Sequence, residues 1–321
     1  MLFYFLFSII IAIFAVNKKL RTMMKRNILW VFVVVLVSVI LTACEKANWD
    51  DGGQKPVQGD EVRVVFNVKR FEQIPFNDGI DVTKANVSVD NICTHIHLAV
   101  FNNGGKVKTI SQKAGDEHFG TITADLPKGT YKIVLIAHSC KGTATITSPE
   151  KISFPDNKLT DTFYYCSNVT VGNDTEYNIE LKRAVSMFRL ITEDAIPERV
   201  AAIRFYYTGG SSSLNAVTGF GCVKSRQTEI RTIDAASVNK SGKFEIYTFP
   251  HEEADKLKIT VTALDAAGNT IKEQIFSKVP VKRNVITQYT GRFFDGSGAS
   301  SSSSSFVLTA NDVWAQNDFR Y

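Results

Sequence analysis

The stretch Val62-Arg63-Val64-Val65-Phe66-Asn67-Val68-Lys69 decides the fold class, because its even positions are apolar and its odd positions are mostly polar. Successive side chains of a β-strand point to opposite faces, so a period of two is typical of a strand with one buried face. A helix would instead repeat its apolar positions every three to four residues. The stretch therefore predicts a half-buried strand.

Similar short apolar stretches follow along the chain, separated by residues that favour turns. In Leu126-Pro127-Lys128-Gly129, proline and glycine are at the positions preferred in a type I turn. Gly209-Gly210-Ser211-Ser212-Ser213 predicts a break in the second half, and no convincing helical stretch occurs. The further predicted strands are 94–101, 107–111, 118–126, 130–138, 162–171, 176–183, 185–192, 200–207, 228–233, 243–249, 257–264, 270–276 and 285–294.

These strands form two sets of about seven, which predicts an all-β fold of two tandem antiparallel β-sandwich domains. We place the N-terminal sandwich at 61–184 and the C-terminal sandwich at 185–295. The join lacks a linker, so we expect the two to pack closely. Residues 296–305 are glycine- and serine-rich and predict a flexible linker, and residues 306–321 predict a C-terminal strand and tail.

The charge of the chain is concentrated at its N-terminus. The 321 residues include 37 basic and 32 acidic side chains, and residues 1–43 contain five basic residues and no acidic one. The rest of the chain is therefore formally neutral. Because affinity for nucleic acids comes mainly from neutralising phosphates, a neutral body without a basic stripe excludes nucleic acid as a partner.

Residues 1–43 have the features of a leader that ends in a secretory signal. The apolar run from Ile28 to Leu41 follows Met24-Lys25-Arg26 and is shorter than the roughly 20 residues that span a bilayer. We favour Met24 as the start of translation. A start at Met1 is the alternative and would add a second apolar segment.

The signal ends in Leu41-Thr42-Ala43-Cys44, which resembles the bacterial lipobox. The resemblance implies cleavage between Ala43 and Cys44 and lipidation of Cys44. Residues 44–60 are polar and predict a tether. Several acyl chains on one cysteine attach a protein stably to a membrane, whereas a single chain binds only marginally.

The remaining cysteines and histidines form no catalytic motif. Cys93, Cys140, Cys166 and Cys222 are scattered, so free thiols and one disulfide both stay open. The stretch from His251 to Asp255 lacks the second histidine of a zinc-protease helix. We predict no enzymatic activity, no metal site and no cofactor.

His95 and His97 lie two residues apart on a predicted strand and therefore share a face. We expect this face to be solvated, while Ile96 points into the core. If the strand that carries His138 and Cys140 were a neighbour, imidazole and thiolate groups could meet there.

The order of these features resembles the fimbrillin-associated anchor and minor-subunit family of Bacteroidetes-type (type V) pili. Leu126–Tyr131 is similar to a turn and strand of that family's first transthyretin-like domain, and Leu181–Arg189 to the passage into its second. Lys282–Phe294 resembles its closing strand, and Asp312-Val313-Trp314 its acidic-aromatic tail. The resemblance implies two transthyretin-like, Greek-key domains in a non-enzymatic lipoprotein of the cell surface and outer membrane.

The resemblance also implies partners, namely other fimbrial subunits, the outer membrane through the lipid, and host or bacterial surface ligands. Such pili assemble by donor strand exchange, in which one subunit supplies a strand to the groove of another. Phe306, Leu308 and Ala310 are the candidate donor residues, and the alternative is a last strand folded on its own chain. In shaft subunits a protease cuts after an arginine and removes the first strand, and Arg70 is the candidate here.

A second hypothesis is a surface glycan-binding β-sandwich lipoprotein. Exposed aromatic residues would bind the sugar, and Tyr206, Tyr207 and Trp314 are the candidates. Alternating aromatic residues are also typical of a sandwich core, so the sequence leaves both readings open.

Overall fold

The computed structural model describes residues 61–71, 89–103, 105–173 and 175–295, together with the backbone of strands at 307–311 and 317–319. Within these residues the only helical segments are 3-10 turns at Val89–Asn91 and Pro155–Asn157. The prediction of an all-β, sandwich-like fold is confirmed. The strands are β1 Glu61–Phe71, β2 His95–Asn102, β3 Gly105–Lys113, β4 Thr121–Pro127, β5 Gly129–His138, β6 Thr145–Ser148, β7 Lys151–Ser153, β8 Thr162–Val171, β9 Thr175–Arg183, β10 Ser186–Thr192, β11 Ala202–Gly210, β12 Ser213–Asn215, β13 Phe220–Gly221, β14 Ser225–Thr232, β15 Gly242–Thr248, β16 Asp255–Leu264, β17 Thr270–Val281, β18 Ile286–Gly291, β19 Val307–Asn311 and β20 Asn317–Phe319.

The first strand, β1, lies inside its sheet and not at an edge. It pairs in parallel with β9 and antiparallel with β4, in the order β3-β2-β5-β8-β9-β1-β4. The two parts of this sheet, β3-β2-β5-β8 and β9-β1-β4, enclose one apolar core. Val64, Phe66 and Val68 of β1 are buried in it, as the alternation of the sequence predicts.

The second half repeats this arrangement. Its first strand, β10, pairs in parallel with its late strand β18 and antiparallel with β15, as β1 does with β9 and β4. The facing sheet has the order β14-β11-β16-β17, which corresponds to β3-β2-β5-β8. A second core, with Phe188, Phe205 and Val261 at its centre, lies between them. Strands β19 and β20 extend the sheet beyond β18 and have no counterpart among the described strands of the first half.

A small sheet of order β13-β12-β7-β6 was not predicted. Its strands have two to four residues, too few for a period of two to be recognisable. The predicted break at residues 209–213 is also shorter than expected, because β11 continues through Gly210. Gly209 has a φ of 99°, and a Cβ atom there would lie 2.5 Å from the carbonyl oxygen of Lys256. These glycines permit a close approach of β11 to β16, and they do not end β11.

A third apolar cluster covers the outer face of β2 and β5. It contains Phe101 and Ile136 from these strands, Ile152 and Leu214 from the small sheet, and Phe249. Residues from both sides of the predicted join at Arg183-Ala184 therefore share one cluster. The division into two domains stays a prediction.

A buried ion pair lies beside this join. Arg183 is fully buried, and its Nε and Nη2 atoms donate to the two carboxylate oxygens of Asp161 at 2.7 and 2.8 Å. Its Nη1 donates to Asn284 Oδ1 at 3.1 Å, and the guanidinium lies 4.7 Å from the ring centre of Phe163. Burial raises the pKa of Asp161, and the Arg183 charge opposes that rise. A buried pair is stable only when its polar atoms are satisfied, as they are here.

The four described cysteines, Cys93, Cys140, Cys166 and Cys222, are free thiols. Of the two alternatives left open by the sequence, the structure has the one without a disulfide among these residues. Burial raises the pKa of Cys93 to about 12, so this thiol stays protonated at neutral pH. In the described part of the chain, no helix is both long and apolar enough for a membrane span.

The Asp194 carboxylate fixes the end of the second half. It is buried and accepts hydrogen bonds from the backbone N–H groups of Phe293, Phe294 and Asp295, at 2.8 Å for Phe293 and 2.7 Å for Asp295. The glycine- and serine-rich residues follow directly. Asp194 therefore holds residues 293–295, which precede the glycine- and serine-rich residues, against the end of β10.

We predict that Asp194→Ala lowers the free energy of unfolding by about 3 kcal/mol, because three N–H groups lose a charged acceptor in a largely buried place. Urea denaturation measures this loss. Asp265 is the matched control, since its carboxylate also accepts three N–H bonds but at a partly exposed turn. Asp265→Ala should cost much less, because water can replace it. Equal losses for the two variants would contradict the role of Asp194.

Candidate functional site

Ala43, Cys44 and Phe306, which the sequence predicts to have a role, lie outside the described residues. Arg70 lies near the end of β1, where it is exposed and follows a shift in the pairing register after Val68. The backbone at Arg70 is paired with Glu180 of β9, so cleavage there would require this end of β1 to open first. Cleavage after Arg70 stays a prediction.

Leu308 and Ala310 lie in β19, which pairs antiparallel with β18 of the same chain. Leu308 is opposite Tyr289, and Ala310 is opposite Thr287. Strand β20 pairs in turn with β19. In this structure the strand is therefore folded on its own chain, and donation of Phe306, Leu308 and Ala310 to a neighbour stays a prediction.

The opposite edge of the first half is closed by side chains. Strand β4 is the last strand of its sheet, and carbonyl groups of such a strand can accept an added strand. Lys108 Nζ donates to the carbonyl oxygen of Asp125 at 2.8 Å, and Gln112 Nε2 to that of Thr121 at 2.8 Å. Both side chains come from β3, the edge strand of the facing sheet. These bonds occupy acceptors that an added strand would need.

The second half has the same device at the equivalent place. Arg231 Nη2, from β14, donates to the carbonyl oxygen of Glu245 in β15 at 2.8 Å. Tyr207 Oη lies 3.1 Å from the carbonyl oxygen of Tyr247 and 2.9 Å from Glu229 Oε1, and its single proton is shared between these acceptors. The β14–β15 side is thereby closed, whereas the sheet continues at β18 by the addition of β19.

The structure contradicts the expectation that His95 and His97 face solvent together. Strands β2 and β5 are neighbours, with His95 opposite His138, and the third apolar cluster covers this face. His97 and His138 are buried, and only His95 is partly exposed. Ile96 points into the core as predicted. The covering layer comes from residues far along the chain, which strand alternation cannot reveal.

The buried histidines form a hydrogen-bonded chain. The Cys140 N–H donates to His138 Nδ1 at 3.1 Å, so the His138 proton is on Nε2. That atom donates to His97 Nε2 at 2.9 Å, and His97 Nδ1 donates in turn to Ser111 Oγ at 2.8 Å. Both rings are therefore neutral. Burial, together with a smaller effect of the neighbouring histidines, lowers the pKa of His97 to about 4 and that of His138 to about 3.

The arrangement brings imidazoles together but assembles no metal site. No cluster of three or more histidine, cysteine or acidic residues that could hold a metal ion occurs within the described ranges. The Cys140 thiol bonds instead to the carbonyl oxygen of Lys158 at 3.1 Å, and burial raises its pKa. The His97–His138 pair is a satisfied polar group inside an apolar layer.

The three candidate aromatic residues for sugar binding have different places. Tyr207 is buried in the second core, and Trp314 lies outside the described residues. Tyr206 is 40% exposed on the outer face of the sheet β14-β11-β16-β17. Ile230 and Ile275 are exposed on the same face, at 57% and 47%. Exposed apolar side chains are thus concentrated around one tyrosine.

Polar and charged side chains surround Tyr206, and we name this surface the Tyr206 face. Thr228 and Thr260 are directly beside Tyr206 on the adjacent strands. A shallow cavity of about 310 Å³ lies here, lined by Tyr206, both threonines, Arg204, Thr262 and Glu273. The remaining residues of the face are Arg226, Thr208, Lys258, Ile230 and Ile275.

Sequence reasoning missed the charged residues of this face. The two-residue spacing is enough to predict that Arg204, Tyr206 and Thr208 share one face of a strand. Arg226, Lys258 and Glu273 come from strands that are 20 or more residues away, so only the pairing register brings them there.

Comparison with known proteins identifies a family and distant structural neighbours. The model of a family of unknown function, DUF6562, matches residues 56–303. No curated protein matches the chain.

Several solved structures are similar in backbone. A candidate polysaccharide-binding protein (DUF1812) from Bacteroides thetaiotaomicron is 13% identical over 78% of this chain and 96% of its own, with a TM-score of 0.48. A candidate adhesin from Bacteroides ovatus is 10% identical over 69% and 83%, with a TM-score of 0.45. The fimbrial anchor protein Mfa2 from Porphyromonas gingivalis is 9% identical over 81% and 98%, with a TM-score of 0.39. Similarity at this level does not carry a partner or ligand from one protein to another.

We predict that the buried histidine pair makes stability fall in acid. Both folded-state pKa values lie below the value near 6.5 of the unfolded chain, so the unfolded state binds more protons below that pH. The free energy of unfolding should be insensitive to these groups above pH 7.5. Below pH 6.5 it should fall by up to about 1.4 kcal/mol per pH unit for each histidine.

Urea denaturation at a series of pH values measures this slope. His97→Phe/His138→Phe should lose most of it, whereas His118→Asn should keep it because His118 is exposed in a turn. A wild-type profile that is flat between pH 6.5 and 4.5 would show that the pair is not held neutral.

Proposed function

The chain belongs to the family of unknown function DUF6562, and we propose that it is a lipid-anchored fimbrial subunit of the cell surface, either an anchor or a minor or tip component. Its role would be pilus assembly and adhesion through β-strand complementation, without enzymatic activity. Its partners would be other fimbrial subunits, with the outer membrane bound through the lipid. Host or bacterial surfaces would be the adhesion targets.

The observation that carries this proposal is the addition of β19 to the edge of β18. Five residue pairs, from Ile286–Asn311 to Thr290–Val307, join the two strands. The strand follows the glycine- and serine-rich stretch 296–305 and stands outside the arrangement that the two halves share. Main-chain bonds of this kind are the basis of strand addition between proteins. A glycine- and serine-rich stretch of this length could present the same strand to a neighbouring subunit.

The position of β1 supports processing at Arg70 for a minor or tip component, whereas an anchor would stay uncut because cleavage there also removes Cys44 and its lipid. Strand β1 lies between β9 and β4, and its Val64 and Phe66 side chains are fully buried. Removal of β1 would leave a gap one strand wide and uncover apolar surface. A strand from another subunit could then fill the gap, with its alternate side chains in the vacated sites.

The lipid anchor rests on the sequence around Cys44. The apolar run before it is of signal-peptide length, and the residues after it are polar. Several acyl chains at this cysteine would attach the protein stably to the outer membrane.

A second candidate function is a surface glycan-binding lipoprotein. The exposure of Tyr206 beside hydroxyl and charged groups favours it. It shares the anchor with the first candidate and differs in that its partner is a carbohydrate.

We predict that Cys44→Ala abolishes lipid labelling and releases the protein from the membrane, because no other residue in the chain follows a lipobox. Cells grown with labelled palmitate, followed by fractionation, measure both effects. Cys222→Ala is the matched control, since Cys222 is an exposed free cysteine of the body, and it should keep the label. Equal labelling of the Cys44→Ala protein would contradict lipidation at this residue.

We predict that residues 45–321 form concentration-dependent oligomers and that deletion of residues 306–321 removes them, because the deletion removes the strand to be donated. Sedimentation velocity at increasing concentration measures the assembly, and circular dichroism verifies the fold. Deletion of residues 45–60 removes a similar length from the other terminus and should leave the oligomers intact. Oligomers that persist without residues 306–321 would refute strand donation and leave the anchor role standing.

A further inference from the structure

We propose that the Tyr206 face binds an acidic polysaccharide, with one sugar ring stacked on Tyr206 and a neighbouring carboxylate held by Arg226 and Lys258. The inference rests on the second candidate function and gives it a site and a ligand class. It needs no strand exchange, so it holds or fails separately from the fimbrial role.

The first step is the stacking surface. Tyr206 is 40% exposed, and the residues directly opposite it on β14 and β16 are threonines. A tyrosine ring presents an apolar face and a polar tip. A pyranose has a complementary form, with an apolar C–H face and hydroxyl groups at its rim. Ile275, beside Thr260, extends the apolar surface along the row.

The second step is the charge of the face. Arg226 and Lys258 both lie opposite Thr208, which is next to Tyr206 on the same side of β11. Among the described residues, neither forms an ion pair. With Arg204 the face has three cations against one carboxylate, that of Glu273, whereas the chain after residue 43 is formally neutral. Positive charge is therefore concentrated beside the stacking ring, and this favours a sugar with a carboxylate.

The third step concerns the polar side chains that can bind sugar hydroxyl groups. Arg204 Nη2 donates to Thr262 Oγ1 at 3.3 Å, and Thr262 Oγ1 donates to Glu273 Oε2 at 3.2 Å. Thr262 is buried, so it holds both charged side chains in place at the cavity. Each retains further donors or acceptors for sugar hydroxyls. A few fixed polar groups beside an apolar surface are typical of small-molecule sites.

Other occupants fit this face less well. Lysine and glutamate are depleted in protein interfaces, whereas Lys258 and Glu273 both lie on this face. Nucleic acid needs more phosphate-neutralising cations than three. An oligosaccharide with a carboxylate on alternate sugars needs one aromatic platform and one or two cations, which the face provides.

The test is affinity electrophoresis of the full chain in detergent, through gels that contain polygalacturonate, alginate or hyaluronan. The carboxyl-reduced form of each polymer is the control ligand. We expect retardation by at least one acidic polymer, weaker binding to its reduced form, and weaker binding as salt concentration rises. Tyr206→Ala should weaken binding about tenfold, the effect of losing about 1.4 kcal/mol of stacking. Arg226→Gln/Lys258→Gln should weaken binding to the acidic polymer only.

Control variants keep the comparison specific. Val217→Ala removes an exposed apolar side chain elsewhere, and Lys182→Gln/Lys282→Gln removes two exposed charges elsewhere. Neither should change binding, and all variants should have the wild-type melting temperature.

Four results would overturn the proposal. No retardation by any acidic polymer, or an unchanged affinity of Tyr206→Ala, removes the site. Equal binding of the acidic and the reduced polymers would refute recognition of a carboxylate by Arg226 and Lys258, while glycan binding itself would stand. A dimer that Tyr206→Ala dissociates, seen by sedimentation, assigns the face to a second copy of the chain.

Discussion

Strands β2 and β5 are buried on both faces, and the rest of the structure depends on this double burial. Their inner faces contribute Leu98 and Leu135 to the first core, and their outer faces contribute Phe101 and Ile136 to the third cluster. The outer layer is built by the small sheet and by residues after the join. Separation of the two halves would therefore expose apolar surface that already lies between packed strands. Arg183, which is fully buried beside the join, donates to Asn284 Oδ1 of the second half, and such a separation would break this bond.

The same burial explains the histidine pair. Two imidazoles in an apolar layer are tolerated because each ring nitrogen has a partner and neither ring is charged. In water each imidazole would take up a proton as the pH falls below its ordinary pKa near 6.5. Their chemistry is therefore that of a polar contact inside a core, and it makes the junction sensitive to acid without making it a catalytic or metal site.

The repeated topology also keeps apart the two surfaces that we propose for binding. In each half, two edge strands of the facing sheets are not paired with each other. Side chains from one sheet close this side by bonding to carbonyl groups of the other sheet's edge strand. The edge of β18 differs, since β19 has been added to it. Strand addition and the Tyr206 face thus use separate surfaces, one made of backbone groups and the other of side chains. A fimbrial subunit with a carbohydrate-binding face would need both.

The strands could be predicted from the amino-acid sequence, because alternation reports directly on which side chains of one strand share a face. It identified β1, β8 and most other strands to within a few residues, and it named both Tyr206 and Tyr207 as candidates although only Tyr206 is exposed. It could not say which face would be exposed, nor that a covering layer would bury His97 and His138. Nor could it place Arg226 and Lys258 beside Tyr206, or find β6, β7, β12 and β13. These features depend on pairing between residues that are distant in the chain. Local periodicity contains no information on that pairing, and only the tertiary structure decided it.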